Sequence, residues 1–250
     1  MDSEAKLRTI MAKAGQSLLD SLALLGIALN IAEDENRGTK AGEALAYVRK
    51  AYTELCLTAR SQTALADADV TNFDPEVYDV VSYCRAVVGQ ANSLAGSHKF
   101  KLRSPHAMLP CVLPEQYLRR ALLTLLSMGA ESAEEEQETV ITLGTAEDNI
   151  TASVEVQADP EPIPDPETLD RTDEGIHLLK EWTRRTMVSR ILAPYGGSFE
   201  VKGGRATITF PRGYSDELTL RSPEVPDDSD DRVWLSPVLT VKDYKVPRRQ

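Results

Sequence analysis

The chain is expected to be an α+β protein: a long two-helix hairpin that pairs with a second copy into a four-helix bundle, followed by an α/β sandwich. Two observations predict this. Residues 3–66 hold two long apolar-periodic segments separated by one short polar turn. The next 140 or so residues alternate helical and strand-like patterns, and they close on two Gly-Gly turns in ILAPYGGSFEVKGGRATITFPRG, residues 191–213.

The first helix is expected over 3–33, with Leu7, Met11, Ala14, Leu18, Leu25, Ala28 and Ala32 at heptad positions. Ile10, Leu24, Ile27 and Ile31 widen its apolar face, so it must bury more than one side. DENRGTK (34–40) is a polar turn, and a second helix over 41–66 carries Ala44, Val48, Ala51, Leu55 and Ala59 on one stripe. Two helices and a short turn make an antiparallel hairpin, and two hairpins can cover each other's faces. ADADVTNFDPEV (66–77) reads as the break between domains.

A helix is expected over 75–95, a strand at 98–104, and a helix over 113–133 with Pro114 in its first turn, where proline is tolerated. A β-hairpin follows, 139–146 and 149–158, turning at Glu147-Asp148. The Pro- and acid-rich ADPEPIPDPETLDRTDEG reads as loop. A helix over 174–193 and strands at 198–202 and 205–210 complete a mostly antiparallel sheet with helices on one face. The domains are therefore expected at 1–66, 67–213 and 214–250. The last is read as a flexible acidic tail holding one apolar island, RVWLSPVLTV, at 232–241.

A formal charge of −11 argues against nucleic acid and anionic membrane surfaces as partners. The charged start MDSEAKLRT has no signal-type apolar run behind it, and the longest apolar stretch, 22–29, is too short to span a bilayer. Cys56, Cys84 and Cys111 lie far apart without CxxC spacing, so reduced thiols in a cytoplasmic protein are expected, with no metal site and no cofactor.

The order of hairpin and sandwich, with NFDPEVYDVVSYCRAVV, VLPEQYLRRALLTLLSMGA and the ending at 191–213, resembles the core of a bacterial histidine kinase over about residues 5–213. It is also similar to the bacterial histidine phosphotransferases built on the same two modules. The resemblance implies an ATPase-like sandwich, but its chemistry is missing. The magnesium-binding asparagine falls on Met128, and the earlier asparagine position on Thr124. A thioether is a poor ligand for a hard cation. The adenine-binding aspartate falls on Ala158, with Asp159 one residue off, and the glycines after it fall on Pro160 and Pro162. Proline lacks the N–H and the dihedral freedom such a loop uses. The glycine-rich phosphate loop is replaced by LLKEWTRRTM, 178–187. The phosphoacceptor position falls near Gly15, and no histidine precedes His98. His98 and His106 read as exposed, and His177 as a helix-surface residue.

These residues imply a catalytically inert, homodimeric kinase-like protein, a pseudokinase, that binds a response-regulator receiver domain or a kinase of a two-component pathway. Lys13, Gln16, Ser17 and Asp20 are the candidate docking residues on the hairpin. Trp234 and Leu235, in the apolar island, are the candidate partner-binding residues of the tail. The alternatives are a phosphorelay phosphotransferase using another acceptor, and an assembly dimer that presents its C-terminal tail.

Overall fold

The computed structural model describes residues 3–67, 75–96, 98–133, 138–156, 173–213 and 228–244. Helices α1 (Ser3–Glu35) and α2 (Lys40–Asp67) form the expected hairpin. Two glycines let them approach closely. A Cβ on Gly15 would lie 2.5 Å from Thr63 Oγ1, and one on Gly26 would lie 2.5 Å from Tyr52 Oη. Near the turn, Arg49 of α2 donates to both oxygens of Glu33, at 3.0 and 2.7 Å, and to Asn30 at 2.6 Å. Leu22, Cys56 and Ala59 are buried between the helices.

The hairpin leaves a long apolar face uncovered: Leu18 and Leu25 of α1 and Val48 and Leu55 of α2 are exposed. Helical periodicity places Leu18 with Leu25, and Val48 with Leu55, on one stripe of each helix, and Leu24, Ile27 and Ile31 are exposed on another side of α1. Lys13–Glu35 is also long and apolar enough, by length and composition, to cross a membrane, with mean hydropathy 1.3 and 22% of its window buried. The expectation that no segment reaches this length took in only the uninterrupted apolar run at 22–29.

The sandwich follows the predicted order with two additions. Strands β1 (Glu76–Asp79) and β3 (Pro110–Leu113) pair antiparallel into a small second sheet. The expected helix from residue 75 therefore begins only at Val80. There the Asp79 carboxylate caps α3 (Val80–Leu94) by accepting from the Val81 and Ser82 amides. The main sheet has the order β2-β4-β5-β7-β6, from β2 (Lys99–Arg103), β4 (Glu138–Ala146), β5 (Asn149–Glu155), β6 (Ser198–Lys202) and β7 (Arg205–Pro211). Only the β2–β4 pair among these is parallel. Alternate residues of the central strands, such as Ile141, Leu143, Ile150, Ala152, Ile208 and Phe210, point inward and are buried. They face α3, α4 (Glu115–Ser132) and α5 (Asp173–Leu192).

The C-terminal segment departs from the sequence reading. Residues 228–234 form a short helix, α6, and 241–244 a 3-10 turn. Both lie against α2, and α6 also packs on α3 and α4. Trp234 is 3% exposed and Leu235 is 0% exposed, so neither is a free docking residue. Val233 joins the hairpin cluster of Leu22, Cys56 and Ala59, whereas Trp234, Leu235 and Leu239 join the main core. The acidic sequence around the island hid its anchor. Asp231, fully buried, accepts both arms of Arg119 from α4, at 2.8 and 2.5 Å. The Arg120 guanidinium stacks over the Trp234 ring at 5.6 Å. The segment therefore ties hairpin and sandwich together.

Breaking such a buried pair from one side leaves a charge without a partner. Asp231→Ala should lower unfolding stability by about 3–5 kcal/mol in urea titrations. The apolar double substitution Arg119→Met/Asp231→Leu should recover most of that loss.

Candidate functional site

The two elements that would hold nucleotide phosphates in a kinase of this layout are the last turn of α4 and the 178–187 segment. Helix α4 is apolar on nearly every side, and Thr124, Ser127 and Met128 are all buried. Met128 is 4% exposed and offers only a thioether. Next to it, Gly129 lets the helix rest on the sheet: a Cβ there would come within 2.8 Å of Thr139 and 3.1 Å of Val154.

Residues 178–187 lie wholly within α5, with no loop among them. Helix α5 turns Arg184 inward, where it is 8% exposed. Its guanidinium donates to both oxygens of Glu131, at 2.9 and 2.7 Å, to Glu181 at 2.5 Å, and more weakly to Ser127 at 3.4 Å. Arg185 donates to the other Glu181 oxygen at 2.7 Å. This ion cluster bridges α4 and α5. Burial alone would push the Glu181 carboxyl up, but Arg184 and Arg185 outweigh it and hold the group below the usual carboxylate range. Burial likewise opposes the Arg184 charge, yet Glu131 and Glu181 raise its pKa further above its already high value. The sequence carried one sign of this cluster: Glu181 stands three and four residues before Arg184 and Arg185, the spacing of helix ion pairs. Glu131, fifty residues away, could not be paired with them from sequence.

Ala158, Asp159, Pro160 and Pro162 lie outside the described residues. Lys13, Gln16, Ser17 and Asp20 are all exposed on one stripe of α1, with Gln16 donating to Asp20 at 3.1 Å. Gly15 faces Thr63 instead, so the position nearest the expected phosphoacceptor points into the hairpin. Trp234 and Leu235 are not brought to this stripe; they sit in the core on the other side of α2. His98 is half-buried rather than exposed. Its Nε2 lies 2.8 Å from Thr139 Oγ1, and burial lowers its pKa.

Cys56, Cys84 and Cys111 are free and buried, and burial pushes the Cys111 thiol up to about 12. No cluster of His, Cys, Asp and Glu among the described residues could hold a metal ion. A groove of about 460 Å³ opens at the sheet end beside Arg103, Gly129, Glu138 and Arg205. A second cavity, of about 290 Å³, lies where α2, α5, Glu131 and the C-terminal segment meet.

No protein-family model matches this chain. No curated protein matches it. Solved structures do. Full-length ShkA in complex with AMPPNP is 15% identical with a TM-score of 0.57, over 83% of this chain and 46% of that one. This chain thus spans less than half of the ShkA length. A histidine kinase from Burkholderia phymatum STM815 is 14% identical with a TM-score of 0.44, over 85% of this chain and 99% of that one. The Acinetobacter baumannii histidine kinase AdeS is 11% identical with a TM-score of 0.42, over 78% and 95%. The fold is therefore histidine kinase-like: a helical hairpin followed by an ATPase-type sandwich.

If the α4–α5 cluster is the link between these helices, Arg184→Ala should cost about 2–3 kcal/mol, less than a fully buried pair because Glu131 is partly exposed. The depressed Glu181 pKa adds a sign. Its contribution is present above the normal carboxylate range and lost as pH falls through the folded value. Urea midpoints measured at neutral and acidic pH should therefore converge for wild type and Arg184→Ala as pH falls.

Proposed function

We propose that this chain is a catalytically inert, homodimeric histidine kinase-like protein of a two-component pathway. It acts by binding a receiver domain of a response regulator or a partner kinase. The observation that carries this reading is the Arg184 fork on Glu131 and Glu181, which ties α4 to α5 through an ion cluster. Together with Met128 in place of a hard-cation ligand, it leaves no provision for magnesium and phosphates. The hairpin supports the same reading, since no histidine lies on α1 or α2. A relay through another acceptor has no specific observation in its favour. Presentation of the tail conflicts with the burial of Trp234 and Leu235.

Dimerisation gives the exposed Leu18, Leu25, Val48 and Leu55 a partner: a second copy of the same face, which closes a four-helix bundle. That arrangement gives Leu18 and Leu25 within Lys13–Glu35 a partner other than a membrane, and it fits a cytoplasmic protein. The stripe of Lys13, Gln16, Ser17 and Asp20 lies outside this face and stays open for a receiver.

Calorimetry with Mg-ATP should show no binding up to millimolar nucleotide. A dissociation constant tighter than about 100 μM, roughly 5.5 kcal/mol of binding, would overturn the proposal. Light scattering at micromolar concentration should give a dimer, and Leu18→Asp or Leu25→Asp should give monomers by burying a charge in the bundle. The double reversal Lys13→Glu/Asp20→Lys should weaken receiver capture and leave the dimer intact; unchanged capture would move the interface elsewhere.

A further inference from the structure

The cavity of about 290 Å³ is walled by all three parts of the chain: α2 of the hairpin, α5 with the end of α4, and the C-terminal segment. Leu57, Leu179 and Pro237 give it an apolar side. Ser61, Arg184 and Ser236 also line it, and each is more than nine-tenths buried. Ser61 Oγ, Ser236 Oγ and Arg184 Nε have no hydrogen-bond partner among the described residues. Burial without a partner is costly for each of these atoms, and a serine hydroxyl reaches a new partner by one χ1 rotation. The space is several times that of one water, about 30 Å³ in the liquid, and it approaches the lower size of ligand pockets.

We propose that this cavity binds a neutral small molecule with an apolar body and a carbonyl or hydroxyl oxygen. The charges around it set the class. Glu54 and Glu131 border the space, so an anion would meet two carboxylates. A cation would meet the Arg184 guanidinium, while both Glu131 oxygens are already taken by it. A neutral oxygen can accept from either serine, once its hydroxyl turns toward the space, while the apolar body covers Leu57, Leu179 and Pro237. Because one of the walls, Ser236 and Pro237, belongs to the C-terminal segment, an occupant would also hold that segment against α2 and α5. This site borders the α4–α5 junction, with which it shares Glu131 and Arg184, and it does not depend on the proposed partner binding.

The test uses the full chain and three probes of similar size: acetanilide (neutral), benzoate (anionic) and benzylammonium (cationic). Ligand-observed saturation-transfer NMR should show acetanilide binding at millimolar concentration, with both charged probes at least tenfold weaker. Acetanilide should also slow amide exchange over 233–239 severalfold. The double variant Ser61→Ala/Ser236→Ala removes unpaired hydroxyls, so it should fold with an unchanged or higher Tm. It should lose acetanilide binding at least tenfold. The proposal fails if no probe binds, which would leave the cavity to water alone. It also fails if benzoate or benzylammonium binds as well as acetanilide, or if the double variant binds acetanilide unchanged.

Discussion

Helix α4 sets the terms for the rest of the fold. Twelve of its eighteen residues are buried, so it must be covered on almost every side. The sheet covers one side, and α3, α5 and α6 cover the others. Its few charges are then handled at its two ends. Near the start, Arg119 takes Asp231 of the C-terminal segment. At the finish, Glu131 takes Arg184 of α5. Desolvation makes each pair costly to break from one side, so each fixes the position of its element, as a well-packed apolar pair could also do.

The same two pairs support the proposed loss of nucleotide binding and hold the C-terminal segment in place. A phosphate-binding loop between α4 and α5 needs free backbone amides and room for a metal. Here that space holds a guanidinium whose two terminal nitrogens are paired with the carboxylates of Glu131 and Glu181. At the other end, Asp231 draws the island onto the junction of hairpin and sandwich, where Val233 meets the hairpin and Leu235 meets the main core. The hairpin is left with apolar side chains uncovered on more than one side, Leu18, Leu25, Val48 and Leu55 on one stripe of each helix and Leu24, Ile27 and Ile31 on another side of α1, and with one polar stripe. Self-association and partner binding are the uses these surfaces suit.

Much of this was legible because it is periodic. Heptad spacing placed α1 and α2, and alternation placed β4, β5 and β7 within a few residues. Strands β1 and β3 escaped because four residues cannot establish a period, and EVYD and PCVL each adjoin a proline. The tail was misread because composition averages over a segment. DDSDD reads as solvated, yet one of its aspartates is fully buried on Arg119. Arg184 was passed over for the same reason: a charged residue on a helix reads as surface until its long-range partners are placed. The glycine at 15 was noted as a missing acceptor, whereas its contact with Thr63 gives it a packing role.

The closed α4–α5 junction is tested most directly by hydrogen exchange of the full chain with and without millimolar Mg-ATP. The last turn of α4, around 127–132, and the 178–187 stretch of α5 should exchange at the same rates in both conditions, because the Arg184 cluster leaves nucleotide no place to bind. Protection of both segments by Mg-ATP, lost on adding a magnesium chelator, would show that the junction opens to nucleotide and would contradict this account.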